Sequence, residues 1–314
     1  MKPQISLVIP LYNEESVFQS LVARLTEVIN KTDLTCEVVL VNDGSIDNTP
    51  ALMEEQAKKD HRFHCVFLSR NFGHQIALSA GMSKAIGSDA IFILDGDLQD
   101  PPELLETFYN KLISGYDVVY AVRRKRKESA WKKFAYALFY RFLDKISYIK
   151  IPLDSGDFSM ISRRVADILN SMPEQSRYIR GMRTWSGFKQ IGIPYDRDAR
   201  EEGDTKYSLK QLFKLASEGI FNFSEFPIRF ITRLGSLSLL ISVVYLITVL
   251  YKRFAYDTVP EGFTALLIAI IMFSGVILIS IGIIGEYILR IFFQAKDRPL
   301  FIIDKEIING EEIK

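Results

Sequence analysis

Short apolar runs alternate with amphipathic stretches over the first 120 residues. Ile5 to Ile9 is an apolar run of strand length, and Val17, Leu21, Val22, Leu25, Val28 and Ile29 then repeat at helical spacing. Glu37 to Val41 predicts a second strand, broken at Asn42-Asp43-Gly44-Ser45, and Thr49 to Lys59 a helix. Phe63 to Leu68, Ala90 to Leu94 and Asp117 to Val122 predict three more strands, with helices over Gln75 to Ile86 and Glu103 to Ser114. This βαβα order predicts an α/β fold with a mostly parallel sheet covered on both faces. Ligands of such sheets bind at the carboxyl ends of the strands. Four polar clusters fall there: Tyr12-Asn13-Glu14, Asp43-Gly44-Ser45, Arg70-Asn71 and Asp95-Gly96-Asp97.

The pattern then changes. Arg123 to Lys127 is a basic run, expected as a loop. Trp131 to Ile149 places Trp131, Phe134, Leu138, Phe142 and Ile146 on one helical face, with Lys132, Lys133, Arg141 and Lys145 largely elsewhere. Such a helix suits a membrane interface or packing on the sheet, and its pattern leaves both open. Ser208 to Phe223 is a second amphipathic stretch. Leu234 to Tyr251 and Gly262 to Gly285 carry no charge. As helices they would be roughly 27 Å and 36 Å long, enough to span a bilayer. Arg229 and Arg233 before the first, and Arg290, Lys296 and Arg298 after the second, favour cytoplasmic ends.

Composition narrows the classes. The net charge of +1 over 314 residues gives no nucleic-acid signal. Cys36 and Cys65 both lie in apolar runs and are expected as buried small hydrophobes rather than a disulfide. The three histidines lack zinc-type spacing. Met1-Lys2-Pro3 leads directly into the first strand pattern, so no signal peptide is expected.

The chemistry concentrates in "FILDGDLQDPPE", Phe92 to Glu103. Unpaired carboxylates are costly at the end of a core strand. Asp95 and Asp97, two apart on an extended segment, present oxygens to the same side, and Gly96 leaves room between them. Two such carboxylates suit Mg2+ or Mn2+, which complete their shells with water and phosphate oxygens. Neither the Walker A pattern nor the Rossmann glycine fingerprint occurs.

"VIPLYNEE", "VNDGSIDNT", "DGDLQDPPE", "SGDFSMISRR" and "REEGDTKYS", in this order and followed by two apolar helices, resemble the polyprenyl-phosphate glycosyltransferases of glycosyltransferase family 2. The bactoprenol glucosyltransferase branch is the most similar, and dolichol-phosphate mannose synthase is a relative. Gly96 stands where the family commonly has alanine. The resemblance implies a GT-A, Rossmann-like catalytic domain plus two C-terminal transmembrane helices. It divides the chain into a cytoplasmic catalytic domain over 1–207, including an interface helix at about 131–149, a membrane-interface helix over 208–228, a two-helix transmembrane domain over 229–290 and a cytoplasmic tail over 291–314. The implied reaction is inverting transfer of one sugar, glucose from UDP-glucose, to undecaprenyl phosphate at the bacterial inner membrane. N-acetylglucosamine, galactose and formamido-arabinose remain alternative sugars, and a homo-oligomer such as a tetramer is implied.

By the same resemblance, Pro10, Tyr12, Asn13, Glu14, Asp43, Ser45, Asp95 and Gln99 bind the nucleotide. Asp97 and Asp95 hold the metal, and Asp97 and Asp157 are the catalytic carboxylates. Arg123, Arg126, Arg200, Lys206 and Tyr207 receive the acceptor phosphate. The role of Asp157 stays open between general base and orienting group. A phosphate monoester has its second pKa near 6, so it is already a competent nucleophile at neutral pH. Arg124, Lys125 and Lys127 read as a solvated basic loop facing anionic lipid. A processive synthase is disfavoured because its Q-x-x-R-W motif is absent. A flippase is disfavoured because the spans carry no charge. A non-catalytic nucleotide-sugar scaffold is the reading from another class, and the three intact aspartates argue against it.

Overall fold

The computed structural model describes residues 2–123, 155–196, 226–256 and 262–313, which form two compact units. The first is built on strands β1 (Ile5–Leu11), β2 (Cys36–Asn42), β3 (Phe63–Leu68), β4 (Ala90–Ile93), β5 (Val118–Arg123), β6 (Ser155–Ser162), β7 (Gln190–Tyr195), β8 (Ile303–Ile308) and β9 (Glu311–Ile313). They form one sheet in the order β7-β5-β6-β4-β1-β2-β3-β8-β9. The central strands β4, β1, β2 and β3 run parallel, as the alternating pattern predicts. Every residue of β1, β3 and β4 is buried, which is why these runs are largely apolar rather than alternating.

Helix α1 (Phe18–Lys31) turns Phe18, Leu21, Val22, Leu25 and Ile29 to the core, the spacing of a one-sided helix. The helices α2 (Thr49–Lys59), α3 (His74–Lys84) and α4 (Leu105–Ile113) follow β2, β3 and β4. α3 lies unusually close to the sheet. A Cβ on Gly81 would stand 2.4 Å from Val8 Cγ1 and 2.9 Å from Val41 Cγ2, so only glycine lets α3 seat there. That seating fixes the start of α3, where His74 and Gln75 lie.

β6 enters antiparallel between β4 and β5. No alternating βα pattern announces such an insertion. Its register pairs Ile93 with Ser159. Phe158 packs on Phe92, Phe108 and Tyr195 with ring centroids 5.3–5.4 Å apart. Side chains alternate across a strand, so Asp157 points to the opposite face, toward α3. Two helices follow β6: α5 (Arg163–Ser171), capped by Ser162 Oγ accepting from Val165 N–H at 3.4 Å, and α6 (Ile179–Trp185).

The chain end, expected as a tail over 291–314, carries two strands. β8 pairs antiparallel with β3, and β9 with β8. Glu306 joins His64 on β3, at 3.2 Å, and Lys84 on α3. Lys305 pairs with Glu54 on α2 at 2.5 Å. A strand over Ile303-Asp304-Lys305-Glu306 was not legible because the edge of β3, not a local apolar run, selects it.

The second unit contains α7 (Phe226–Tyr256) and α8 (Phe263–Ala295), which touch one another. Both exceed the boundaries expected at 229 and 290. Candidate spans of 27 residues (Phe226–Lys252) and 24 residues (Met272–Ala295) lie within them, with apolar side chains turned outward. The helices expected over 131–149 and 208–223 lie outside the described residues, as do Arg126, Arg200, Lys206 and Tyr207.

Candidate active site

The carboxyl ends of β1, β2 and β4 and the start of β6 meet along one edge. Pro10 is buried within β1, and Tyr12 stands exposed just beyond it. Asn13 has φ of 54°, a left-handed conformation that asparagine tolerates. Its N–H donates to Ser45 Oγ at 3.0 Å, and its Oδ1 accepts from Ile46 N–H at 2.9 Å. Glu14 N–H donates to Thr49 Oγ1 at 3.0 Å. The β1 and β2 loops are thus sewn together.

Asp43 ties two loops together. Its carboxylate accepts from Phe72 N–H at 2.7 Å and Gly73 N–H at 2.9 Å, and the residue is buried. Burial pushes its pKa up, partly offset by those two N–H groups. Gly44, at φ of 65°, lies so close to the Arg70–Asn71 peptide that a Cβ would sit 2.4 Å from it. Asp43 therefore clamps the loop after β3 against the loop after β2.

Beyond β4 the chain turns rather than staying extended, with Leu98 at φ of 60°. Asp95, Asp97 and Gln99 are nonetheless all partly open to solvent, while Leu94, Gly96, Leu98 and Asp100 are buried. The space beside Gly96 is taken by Leu11, whose Cδ2 would stand 2.5 Å from an added Cβ, rather than left for a ligand. Gln99 N–H donates to Asp97 Oδ1 at 3.2 Å. Arg24 holds the turn from α1 through Leu98 O, at 3.0 Å, and Glu103, at 2.7 Å. Tyr195 Oη donates to Asp100 Oδ1 at 2.6 Å, and Arg123 lies in the electrostatic reach of Tyr195, Asp100 and Asp95. Arg123 thus stands at the flank of the aspartate turn.

Asp157, in a strand rather than a turn, is ringed by donors. Gln75 Nε2 donates to its Oδ2 at 2.8 Å. Arg180 Nε and Nη2 lie 3.4 Å and 3.3 Å from its two oxygens. His74 Nε2 is 3.6 Å from Asp157 Oδ2 and 3.5 Å from Asp95 Oδ1. Burial opposes ionisation of Asp157, but Arg180 and His74 outweigh it and hold the carboxyl well below its usual range. For His74, loss of solvent lowers the pKa, and Asp157 and Asp95 reverse the effect and raise it to about 9. Arg183 is fully buried, lies over the Tyr120 ring at 5.4 Å, and its guanidinium nitrogens have no hydrogen-bond partner. Burial pulls it down to about 10, against the pull of Asp157.

His74, Gln75 and Arg180 were missed in the sequence. The first two lie three and four residues beyond the Arg70-Asn71 cluster at the end of β3, within reach of the same loop. Arg180 carries no local signal; only the placement of α6 brings it to Asp157. Among the described residues no group of three His, Cys, Asp or Glu side chains is arranged to hold a metal.

A family model described as "Glycosyl transferase family 2" matches residues 6–169. The uncharacterized glycosyltransferase YkcC of Bacillus subtilis (strain 168) is 44% identical over 303 residues, covering 96% of this chain and 94% of the relative. The prophage bactoprenol glucosyl transferase homolog of Escherichia coli (strain K12) is 35% identical over 303 residues, covering 96% and 99%. Mannosyl-3-phosphoglycerate synthase from Rubrobacter xylanophilus superposes with a TM-score of 0.50 at 14% identity, over 74% of this chain and 75% of that one, a likeness of fold alone. The fold is of the GT-A type.

Proposed function

The chain belongs to glycosyltransferase family 2, and from that premise we propose that it transfers glucose from UDP-glucose to undecaprenyl phosphate with inversion at the anomeric carbon. Glycosyltransferase activity follows from the family. The lipid acceptor is supported by near full-length similarity to the bactoprenol glucosyl transferase homolog and by the two apolar helices after the catalytic domain. One observation carries the reading. Asp95 and Asp157 meet through His74, so a donor-side and an acceptor-side carboxylate share one reaction centre.

The nucleotide lies over the sewn β1 and β2 loops, against Tyr12, Asn13 and Ser45. Asp97 and Asp95 fit Mg2+ or Mn2+: two carboxylates partly open to solvent leave the remaining coordination to phosphate and water. Such an ion, when bound, would neutralise the charge of the departing diphosphate. The acceptor phosphate is ionised at neutral pH and attacks without prior deprotonation. The residues therefore contribute mainly position and charge. Arg123 adds a guanidinium beside the aspartate turn.

The helix pair lies between β7 and β8 in the chain, yet both strands belong to one sheet. Crossings between them must be even in number. This supports two membrane spans with the catalytic domain and the chain end on one side, the cytoplasmic side where nucleotide sugars are supplied.

Purified protein incubated with undecaprenyl phosphate, Mg2+ and a panel of nucleotide sugars tests the reading, with the lipid product identified by mass. A hexosyl adduct from UDP-glucose is expected. An adduct from another donor alone would replace glucose with that sugar. No adduct from any donor would overturn the transfer.

A further inference from the structure

We propose that Arg180 is the side chain that receives the acceptor's phosphate, and that Asp157 acts through Arg180 as a positioning carboxylate rather than as a base. This rests on the reading of the acceptor as a lipid phosphate.

The first ground is the state of Asp157. Its two oxygens face Gln75 Nε2, both arms of Arg180 and the His74 imidazole. The side chain is 7% exposed, whereas those of Arg180 and His74 are 20% and 40% exposed. The carboxylate is the most buried member of the group, and the two cations are the more solvent-exposed. A base needs the reverse arrangement.

The second ground is how Arg180 is held. Gln75 donates to Asp157 and, through Oε1, accepts from Ile179 N–H at 2.8 Å. One amide thus ties the carboxylate to the first residue of α6, next to Arg180. At 3.3–3.4 Å the Arg180–Asp157 contact is longer than the 2.7–2.9 Å of a tight charge-assisted pair. The carboxylate orients the guanidinium, whose planar fork suits phosphate oxygens.

The third ground is position. The nucleotide loops end β1 and β2, Asp95 and Asp97 follow β4, and Asp157 with α6 lies on β6, beyond β4 in the sheet order. With the leaving diphosphate at Asp95 and Asp97, the attacking phosphate must come from the side away from the nucleotide. Arg180 stands on that side. Arg183, fully buried, adds a positive charge that Asp157 feels.

The full chain in detergent, as wild type, Arg180→Ala, Arg180→Lys and Asp157→Asn, provides the test. Binding of farnesyl phosphate and of the nucleotide sugar with Mg2+ is measured by calorimetry, and turnover against undecaprenyl phosphate alongside. Arg180→Ala should weaken farnesyl phosphate binding and raise the acceptor KM by about tenfold to a hundredfold, with donor affinity changed less than about twofold. Arg180→Lys should recover part of the loss, and its donor binding controls for folding. Asp157→Asn should follow Arg180→Ala in acceptor KM. Arg180→Ala weakening donor binding alone would place Arg180 on the nucleotide diphosphate and overturn the proposal. So would an Asp157→Asn variant with unchanged acceptor KM, a collapsed kcat and a lost acidic limb in the pH profile. Wild type that binds farnesyl phosphate through Arg180 but transfers no sugar would sink the proposed reaction and leave this assignment standing. Wild type that transfers sugar without binding a lipid phosphate would overturn the assignment.

Discussion

Asp95 and Asp157 are joined by one imidazole, with His74 Nε2 3.5 Å from an oxygen of the first and 3.6 Å from an oxygen of the second. Removing that cation leaves two carboxylates facing each other and makes Asp95 a stronger pole for a divalent ion. His74→Ala should therefore lower turnover by about tenfold or more while tightening Mn2+ binding measured with UDP present. His74→Gln, which keeps a donor but no charge, should bind Mn2+ as tightly yet keep more activity. Weaker Mn2+ binding in both variants would show that His74 does not oppose the metal.

Asp97 tests the metal itself. Asp97→Asn removes one anionic oxygen donor from the turn after β4 and should nearly abolish transfer. Chelation of the wild type should do the same. Turnover near wild type in the Asn variant under chelator would remove Asp97 from the metal site.

The Asp43 clamp separates shape from contact. Asp43→Ala strands the N–H groups of Phe72 and Gly73, a loss of about 2 kcal/mol or more of stability. It should also weaken nucleotide-sugar affinity, because the loops after β2 and β3 come apart. Asp43→Asn keeps one carbonyl acceptor and should lie between. Thermal unfolding and donor calorimetry report the two effects. Donor affinity lost with no change in stability would mean that Asp43 touches the nucleotide directly.

Acid should loosen the return strand. Burial holds His64 below its ordinary 6.5, against the upward pull of Glu306 and Glu37, with Lys84 adding to the downward shift. Below pH 6.5 the unfolded chain takes up a proton that folded His64 refuses, so stability falls as pH drops through the folded pKa. The unfolding temperature of the wild type should drop more between pH 7.5 and 5.5 than that of His64→Gln. Equal drops would exclude His64 as the source.

Topology can be read from outside the cell. A cysteine at Asp257 should react with a membrane-impermeant maleimide on intact cells, and one at Glu312, on β9, should not. The reverse pattern would invert the orientation.

Much of this protein is local and was therefore legible. The buried strands β1 to β4 read as largely apolar runs because both their faces are covered, and α1 reads from its period because only one of its faces is. Local spacing also marked the strand-end clusters and the two long apolar helices. The rest depends on surfaces that exist only after folding. β6 slots antiparallel beside β4 because Phe158 completes an aromatic cluster made by Phe92 and Phe108, and that packing turns Asp157 toward α3. β8 forms because β3 offers an open edge and a buried histidine to Glu306. Arg180 reaches Asp157 only because Gln75, from a helix seated on Gly81, bridges the two segments. Sequence periodicity reports which face of an element is covered. Which groups then stand within 4 Å of one another is decided by close packing between segments far apart in the chain, where a single missing Cβ sets the distance.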